Sequence, residues 1–284
     1  MAKTNKVILT AALLGAGTSK QMNPDVPLTP QEIADDVVAC AKAGASIAHL
    51  HVRDETGKAS METRYFIAVC DAVRETCAKA GVDIVLNLST AGSRFPDEMR
   101  MAQLETCKPE MCTFDPCTMN WGNAMVFENT PKFLEALGHR AQEMDIKPEI
   151  EIFDAGHLYN LGYFVKKGIL QAPLHIQLMM GVVGAMPGTV ENLGFLVPHI
   201  PEGSTWSISG IGKSHIPMML AGLAAGCDGL RVGLEDNLYY APGELTTNAK
   251  LVERAAQLTV LAGREIATPA ETRKILGLTK KVAF

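Results

Sequence analysis

The chain has no CxxC pair, no run of like charge and no low-complexity tract. Its longest apolar stretches fall well short of the roughly 18 residues that a membrane-spanning helix needs. Without a CxxC, the seven cysteines (Cys40, Cys70, Cys77, Cys107, Cys112, Cys117 and Cys227) lack the spacing of a zinc ribbon or a redox pair. Most sit among apolar residues, so they read as reduced thiols acting as small hydrophobes in a cytoplasmic protein. Cys112 and Cys117 remain the two that a metal could recruit. Lysine and arginine are scattered and the net charge is −5, which gives no electrostatic reason to expect nucleic acid. Small-molecule chemistry is what remains.

What is present is a large core: 284 residues, 47% hydrophobic and 20% charged, suit one α/β barrel or two smaller domains. Lys3 and Lys6 ahead of Val7–Leu14 imitate a short signal peptide, but the run passes directly into Gly15-Ala16-Gly17 and reads better as a buried first strand. Strand-like runs alternate with helical patterns throughout, as repeated βα units require. Eight strands are expected near 6–12, 45–52, 82–89, 110–115, 147–153, 173–178, 204–211 and 228–235. Eight units in about 280 residues match a (β/α)8 TIM barrel forming a single domain over 1–284; an open doubly wound sheet is the alternative. Thr29-Pro30-Gln31-Glu32 has the signature of a capping box that starts a helix at Pro30, and Thr268-Pro269-Ala270-Glu271 repeats it. Gly263 closes a helix whose Leu251, Ala255, Leu258 and Ala262 share one face.

Alternation along each strand separates an apolar face, which packs on helices, from a polar face, which points into the barrel. By that rule His49, His51, Asn87, Ser89, Thr113, Asp115, Glu149, Glu151, His175, Gln177, Ser207, Ser209, Arg231 and Glu235 face inward. His49 and His51, at i and i+2 on one strand, share a face and can bind one cation together, or each can hydrogen-bond separately. Glu235, expected as the last residue of strand eight, is the natural third ligand. Two histidines and a carboxylate with an open position suit catalytic Zn²⁺, and also non-haem Fe(II). Arg231 either orients a substrate carboxylate or forms a structural salt bridge with Glu235 or Asp236.

Several segments occur in the order of a known family: Thr10–Ala16, Leu28–Glu32, His49-Leu-His-Val-Arg-Asp54, Leu88–Gly92, Lys108–Met111, Pro148–Glu151, Pro173–Gln177, Gly210–Gly212 and Gly233-Leu-Glu-Asp-Asn237. Over nearly its whole length the chain resembles the β-keto acid cleavage enzymes, the family that includes 3-keto-5-aminohexanoate cleavage enzyme. The resemblance implies a Zn²⁺-dependent barrel that condenses a β-keto acid with acetyl-CoA and cleaves the adduct to acetoacetate and a new acyl-CoA. It implies His49, His51 and Glu235 as zinc ligands, Ser89 and Thr113 at the substrate carboxylate, Arg231 and Asp236 as the acid/base pair, and Glu151 near the substrate side chain. It also implies a homo-oligomer, a tetramer.

One departure concerns specificity. The aminohexanoate enzyme has Gly-Ala-Glu after its first strand where this chain has Gly15-Ala16-Gly17, so a carboxylate for the substrate's amino end is missing at Gly17. Trp121 either offers a π face to a quaternary ammonium or simply packs in a loop. Lys213, after strand seven, lies where barrels place phosphate sites and is the CoA-binding residue expected, or else a solvated charge. His215 packs or caps nearby, and His139, His157 and His199 read as structural. A hydrolase or lyase using a metal-bound water without CoA is the competing enzyme class; a non-catalytic metabolite-binding barrel is the third reading.

Overall fold

In the computed structural model, which describes residues 4–279, the outward-facing apolar residues of eight strands lie under a ring of helices and the inward-facing residues fill a closed barrel. The strands are β1 (Lys6–Ala12), β2 (Ile47–Leu50), β3 (Val85–Leu88), β4 (Met111–Phe114), β5 (Lys147–Ile152), β6 (His175–Met180), β7 (Thr205–Gly210) and β8 (Gly229–Val232). Each pairs in parallel with the next, and β8 returns to β1 with Arg231 opposite Thr10, which closes the sheet. This is the TIM barrel expected, and the open doubly wound sheet is excluded. Residues 1–3, with Lys3 among them, and 280–284 of the expected domain lie outside the described residues.

Nine α-helices surround the barrel among the described residues. Helix α1 (Pro30–Lys42) starts on the Thr29/Glu32 capping box, and α9 (Pro269–Leu276), the last of the nine, on that of Thr268/Glu271. Leu276 of α9 and Ala267 pack on Ile8, Ile47, Val85 and Met111, the first inward residues of β1 to β4. That apolar layer plugs the N-terminal mouth. Chemistry is left to the other end, where the polar residues collect. Helix α8 (Asn248–Leu261) packs beside β1 and β8 and is followed by Gly263 at φ 73°, a left-handed position suited to glycine.

Several strand limits differ from expectation, and three of the differences have a visible cause or consequence. Strand β6 begins at His175, because Pro173 cannot donate to the ladder. β2 ends at Leu50, and the chain then forms a small hairpin of Val52–Arg53 with Ala59–Ser60, so His51 sits in the gap between two strands. β8 ends at Val232, three residues before Glu235. There Gly233 has φ 152° and its Cα lies against β1, so that an added Cβ would stand 2.0 Å from the Ala12 carbonyl oxygen. The strand stops at a glycine that no other residue can replace, and a turn carries Glu235 and Asp236 over the barrel mouth.

Candidate metal centre

His49 Nε2 lies 3.5 Å from Glu235 Oε2, and His51 Nε2 lies 3.4 Å from Glu235 Oε1. The donor atoms of the three residues all fall within 4.8 Å of one another, and among the described residues they form the one His/Cys/Asp/Glu cluster of this kind. Donors about 2.0–2.2 Å from a tetrahedral Zn²⁺ stand about 3.3–3.6 Å apart, and each histidine nitrogen lies at such a distance from one Glu235 oxygen, His49 from Oε2 and His51 from Oε1. Glu235 Oε2 is buried without a hydrogen-bond partner, leaving a lone pair that a cation satisfies. Burial holds His49 well below the usual imidazole range and therefore neutral. For Glu235 burial works in the opposite direction, but the neighbouring His51 and Arg231 outweigh it and keep the carboxyl far below its usual range. Neutral imidazole and ionised carboxylate are the forms that bind metal.

The three residues expected as ligands do come together, while the origin of one of them is different. Glu235 comes from the turn after β8 rather than from the strand, and its N–H donates to the Ala12 carbonyl at 3.2 Å. Cys112 and Cys117 are buried in separate apolar clusters and belong to no metal grouping of the described residues.

Arg231, 1% exposed, sits beneath the cluster and is shared among carboxylates. Its Nη1 donates to Glu151 Oε1 at 2.7 Å and its Nη2 to Glu235 Oε1 at 2.9 Å. Asp236 takes the rest of the fork, Oδ2 from Nε at 3.0 Å and Oδ1 from Nη2 at 3.2 Å. Ser209 Oγ also donates to Asp236 Oδ2, at 2.6 Å. Arg231 thus bridges both Glu235 and Asp236, the salt bridges that its structural reading anticipated, and Glu151 as well. Burial pushes the Asp236 and Glu151 carboxyls above their usual range against the pull of Arg231. Burial together with the neighbouring Glu151 pushes Asp115 well up.

Ser89 and Thr113 are buried at the ends of adjoining strands β3 and β4, where Thr113 Oγ1 accepts the Thr90 N–H at 3.0 Å. Below them Asn87 Nδ2 donates to Glu149 Oε1 at 2.7 Å, and burial raises the Glu149 pKa to about 7. Trp121 packs edge-on against Phe127 and Phe153 on a hairpin after β4 and keeps 37% of its surface exposed. Lys213 is exposed in the turn after β7, beside Gly212, whose N–H donates to the Asp236 carbonyl at 2.9 Å. His215 is buried at the start of the next helix. His139 and His199 are exposed on helices, and His157 Nδ1 accepts the Phe153 N–H at 3.3 Å.

Two residues outside the expected set shape the site. Arg53 Nη1 donates to the Ala16 carbonyl at 2.8 Å and Nη2 to Thr18 at 2.9 Å and to Gly15, pinning the loop that carries Gly17. Its position within the His49–Asp54 motif was the available signal. Asn248, at the first position of α8, reaches the turn before Glu235. No sequence signal marks it beyond an asparagine heading an amphipathic helix.

The fold and site therefore define a (β/α)8 barrel enzyme with a buried His-His-Glu centre and an arginine–carboxylate network at its C-terminal mouth. The model of one family, the beta-keto acid cleavage enzymes, matches residues 6–278. The chain belongs to this family. It is 39% identical over 276 residues to a 3-keto-5-aminohexanoate cleavage enzyme of Fusobacterium nucleatum, covering 97% of this chain and 99% of that one. It is 36% identical over 304 residues to a 3-dehydrocarnitine:acetyl-CoA trimethylamine transferase of Rhizobium meliloti, covering 99% of each. Among solved structures, ObcA with a C4-CoA adduct and oxalate aligns at a TM-score of 0.78 and 22% identity, over 90% of this chain and 68% of that one, a likeness of fold.

Proposed function

We propose that the protein is a zinc-dependent acyltransferase that converts a β-keto acid and acetyl-CoA into acetoacetate and a new acyl-CoA. The observation that carries this reading is the His49, His51 and Glu235 cluster in direct contact with the Arg231–Asp236 pair. The relatives support the co-substrate, since several are named for acetyl-CoA-dependent transfer from keto acids.

His49, His51 and Glu235 would hold Zn²⁺, which when bound supplies a Lewis acid that polarises the keto oxygen. Ser89 and Thr113 receive the substrate carboxylate at the ends of β3 and β4, and Glu151 faces its side chain. Asp236, with a raised pKa, takes a proton from the carbon between the keto and carboxylate groups. Arg231 holds Asp236 in place through two hydrogen bonds and stabilises its ionised form. The resulting carbanion forms a carbon–carbon bond to the acetyl carbonyl and CoA thiolate leaves. Thiolate attack on the original keto carbon then breaks its bond to the shared carbon, and the carbanion released takes the proton back from Asp236, giving acetoacetate and the new thioester. Lys213 is assigned to CoA phosphate.

No helix of the described residues is long and apolar enough to cross a membrane. A cytoplasmic location accompanies the proposal, supported by the burial of the cysteines among apolar residues, as does the homo-oligomer of the family resemblance. Turnover of a panel of β-keto acids with and without acetyl-CoA, before and after chelation, tests the reading. Loss of turnover on chelation, recovery with Zn²⁺ and an absolute need for acetyl-CoA are expected. Cleavage that proceeds equally without acetyl-CoA would assign the hydrolase or lyase class instead.

A further inference from the structure

Asn248 is fully buried at the head of α8, and its amide is completely used. Oδ1 accepts the Leu234 N–H at 2.7 Å, while Nδ2 donates to the Leu13 carbonyl at 2.9 Å and to Asp36 Oδ2 at 2.6 Å. One side chain thus ties together the turn after β8, the loop after β1 and helix α1. Both backbone contacts lead to Glu235. Leu234 immediately precedes it, and Leu13 leads into Gly15, which lies so close to Glu235 that an added Cβ would stand 2.7 Å from its Cγ. Past Gly233 the turn has left the strand ladder, so the Leu234 N–H has no ladder partner and Asn248 supplies the acceptor. A buried N–H deprived of such a partner is left unsatisfied, which favours rearrangement of a short turn.

We propose that Asn248 is a positioning residue for the metal ligand Glu235. It holds the backbone from which Glu235 projects and also the glycine against which the Glu235 side chain rests. The inference rests on the metal reading of the His49, His51 and Glu235 cluster and extends it to a residue that touches neither metal nor substrate. Groups that orient a ligand from behind typically govern metal affinity by about 10- to 100-fold.

The test is a titration of metal-free protein with Zn²⁺ against a competing chelator, at a temperature well below unfolding, with thermal unfolding of the same metal-free samples measured in parallel. Asn248→Ala is expected to weaken Zn²⁺ binding about 10- to 100-fold. A packing role alone would lower the unfolding temperature and leave Zn²⁺ affinity untouched. If Asn248→Ala does not fold, Asn248→Asp combined with Asp36→Asn serves instead: it retains the acceptor for the Leu234 N–H and a donor–acceptor contact with α1, but loses the donor to Leu13. This variant is expected to bind Zn²⁺ more weakly than wild type and, where both fold, more tightly than Asn248→Ala. Wild-type affinity in Asn248→Ala, or in the double variant where that alone folds, overturns the inference and leaves the metal site standing. Absence of Zn²⁺ binding by the wild type overturns both.

Discussion

Arg231 and Glu235 share a hydrogen bond of 2.9 Å that occupies Oε1 and leaves Oε2 facing His49 without a donor. The guanidinium also fixes Glu151 and Asp236, so one buried cation sets the position of a metal ligand and of the proposed base. Removing it strands several carboxylates in the barrel. Arg231→Met is expected to cost about 3–5 kcal/mol of stability, the usual price of an unpaired buried charge. Arg231→Lys restores part of that stability but not activity, because an ammonium lacks the planar fork. Denaturant melts and kcat measured on both variants check the pair; wild-type turnover in Arg231→Lys would refute the role of the fork.

Asp236→Asn keeps the shape of the side chain and the contact with Ser209 but cannot accept a proton. It is expected to retain Zn²⁺ and to lose about 10²–10⁴ in kcat, the range of a positioned acid/base. Metal analysis and rate–pH profiles of the purified variant decide it. Wild-type rates across pH would make Asp236 structural.

Much of this site was legible in the sequence because strand alternation is a strict period. His49, Asn87, Thr113, Glu149, Arg231 and Ser209 lie inside the barrel as their parity requires. Glu235 reaches the two histidines, but not by the route that parity gives: the parity count carries through Gly233, whereas the chain leaves the strand there because its Cα meets Ala12. The same limit applies to His51, which faces Glu235 from the gap before a hairpin that strand periodicity does not reveal. Asn248 and Arg53 escaped altogether, since their hydrogen bonds span 14, 212 and 235 positions for Asn248 and 35 to 38 for Arg53, and only the closed barrel brings those segments together.

Gly17 is exposed, its φ is not positive, and an added Cβ would meet nothing within 4 Å. A glutamate is therefore accommodated there without strain. Wild type is expected to handle 3-keto-5-aminohexanoate poorly and to prefer a side chain that is neutral, anionic or quaternary. Gly17→Glu should improve kcat/KM for the amino substrate about ten- to a hundredfold relative to an uncharged analogue, the worth of one charge-assisted contact. A wild type that already favours the amino substrate tenfold would show that Asp115 or Glu151 supplies the charge instead.

Glu149 predicts a pH dependence of stability. Its pKa rises from an ordinary 4.5 to about 7 in the folded chain, chiefly through burial. The folded state then holds its proton more tightly than the unfolded state, so the stabilisation present below about pH 4.5 is lost as pH climbs through about 7. The loss is on the order of 3 kcal/mol across that window. Glu149→Gln keeps an oxygen for Asn87 and should be less sensitive to pH between 5 and 8. Parallel melting curves of wild type and variant over that range test it; identical slopes would contradict it.

The central claim is that the acetyl group of acetyl-CoA ends in acetoacetate while the acyl group of the β-keto acid moves to CoA. Mass spectrometry of a reaction run with acetyl-labelled acetyl-CoA reads this directly. The account predicts label in acetoacetate, none in the new acyl-CoA, and neither product with His49→Ala. Product formation without incorporation of the label, or undiminished turnover by His49→Ala, would contradict it.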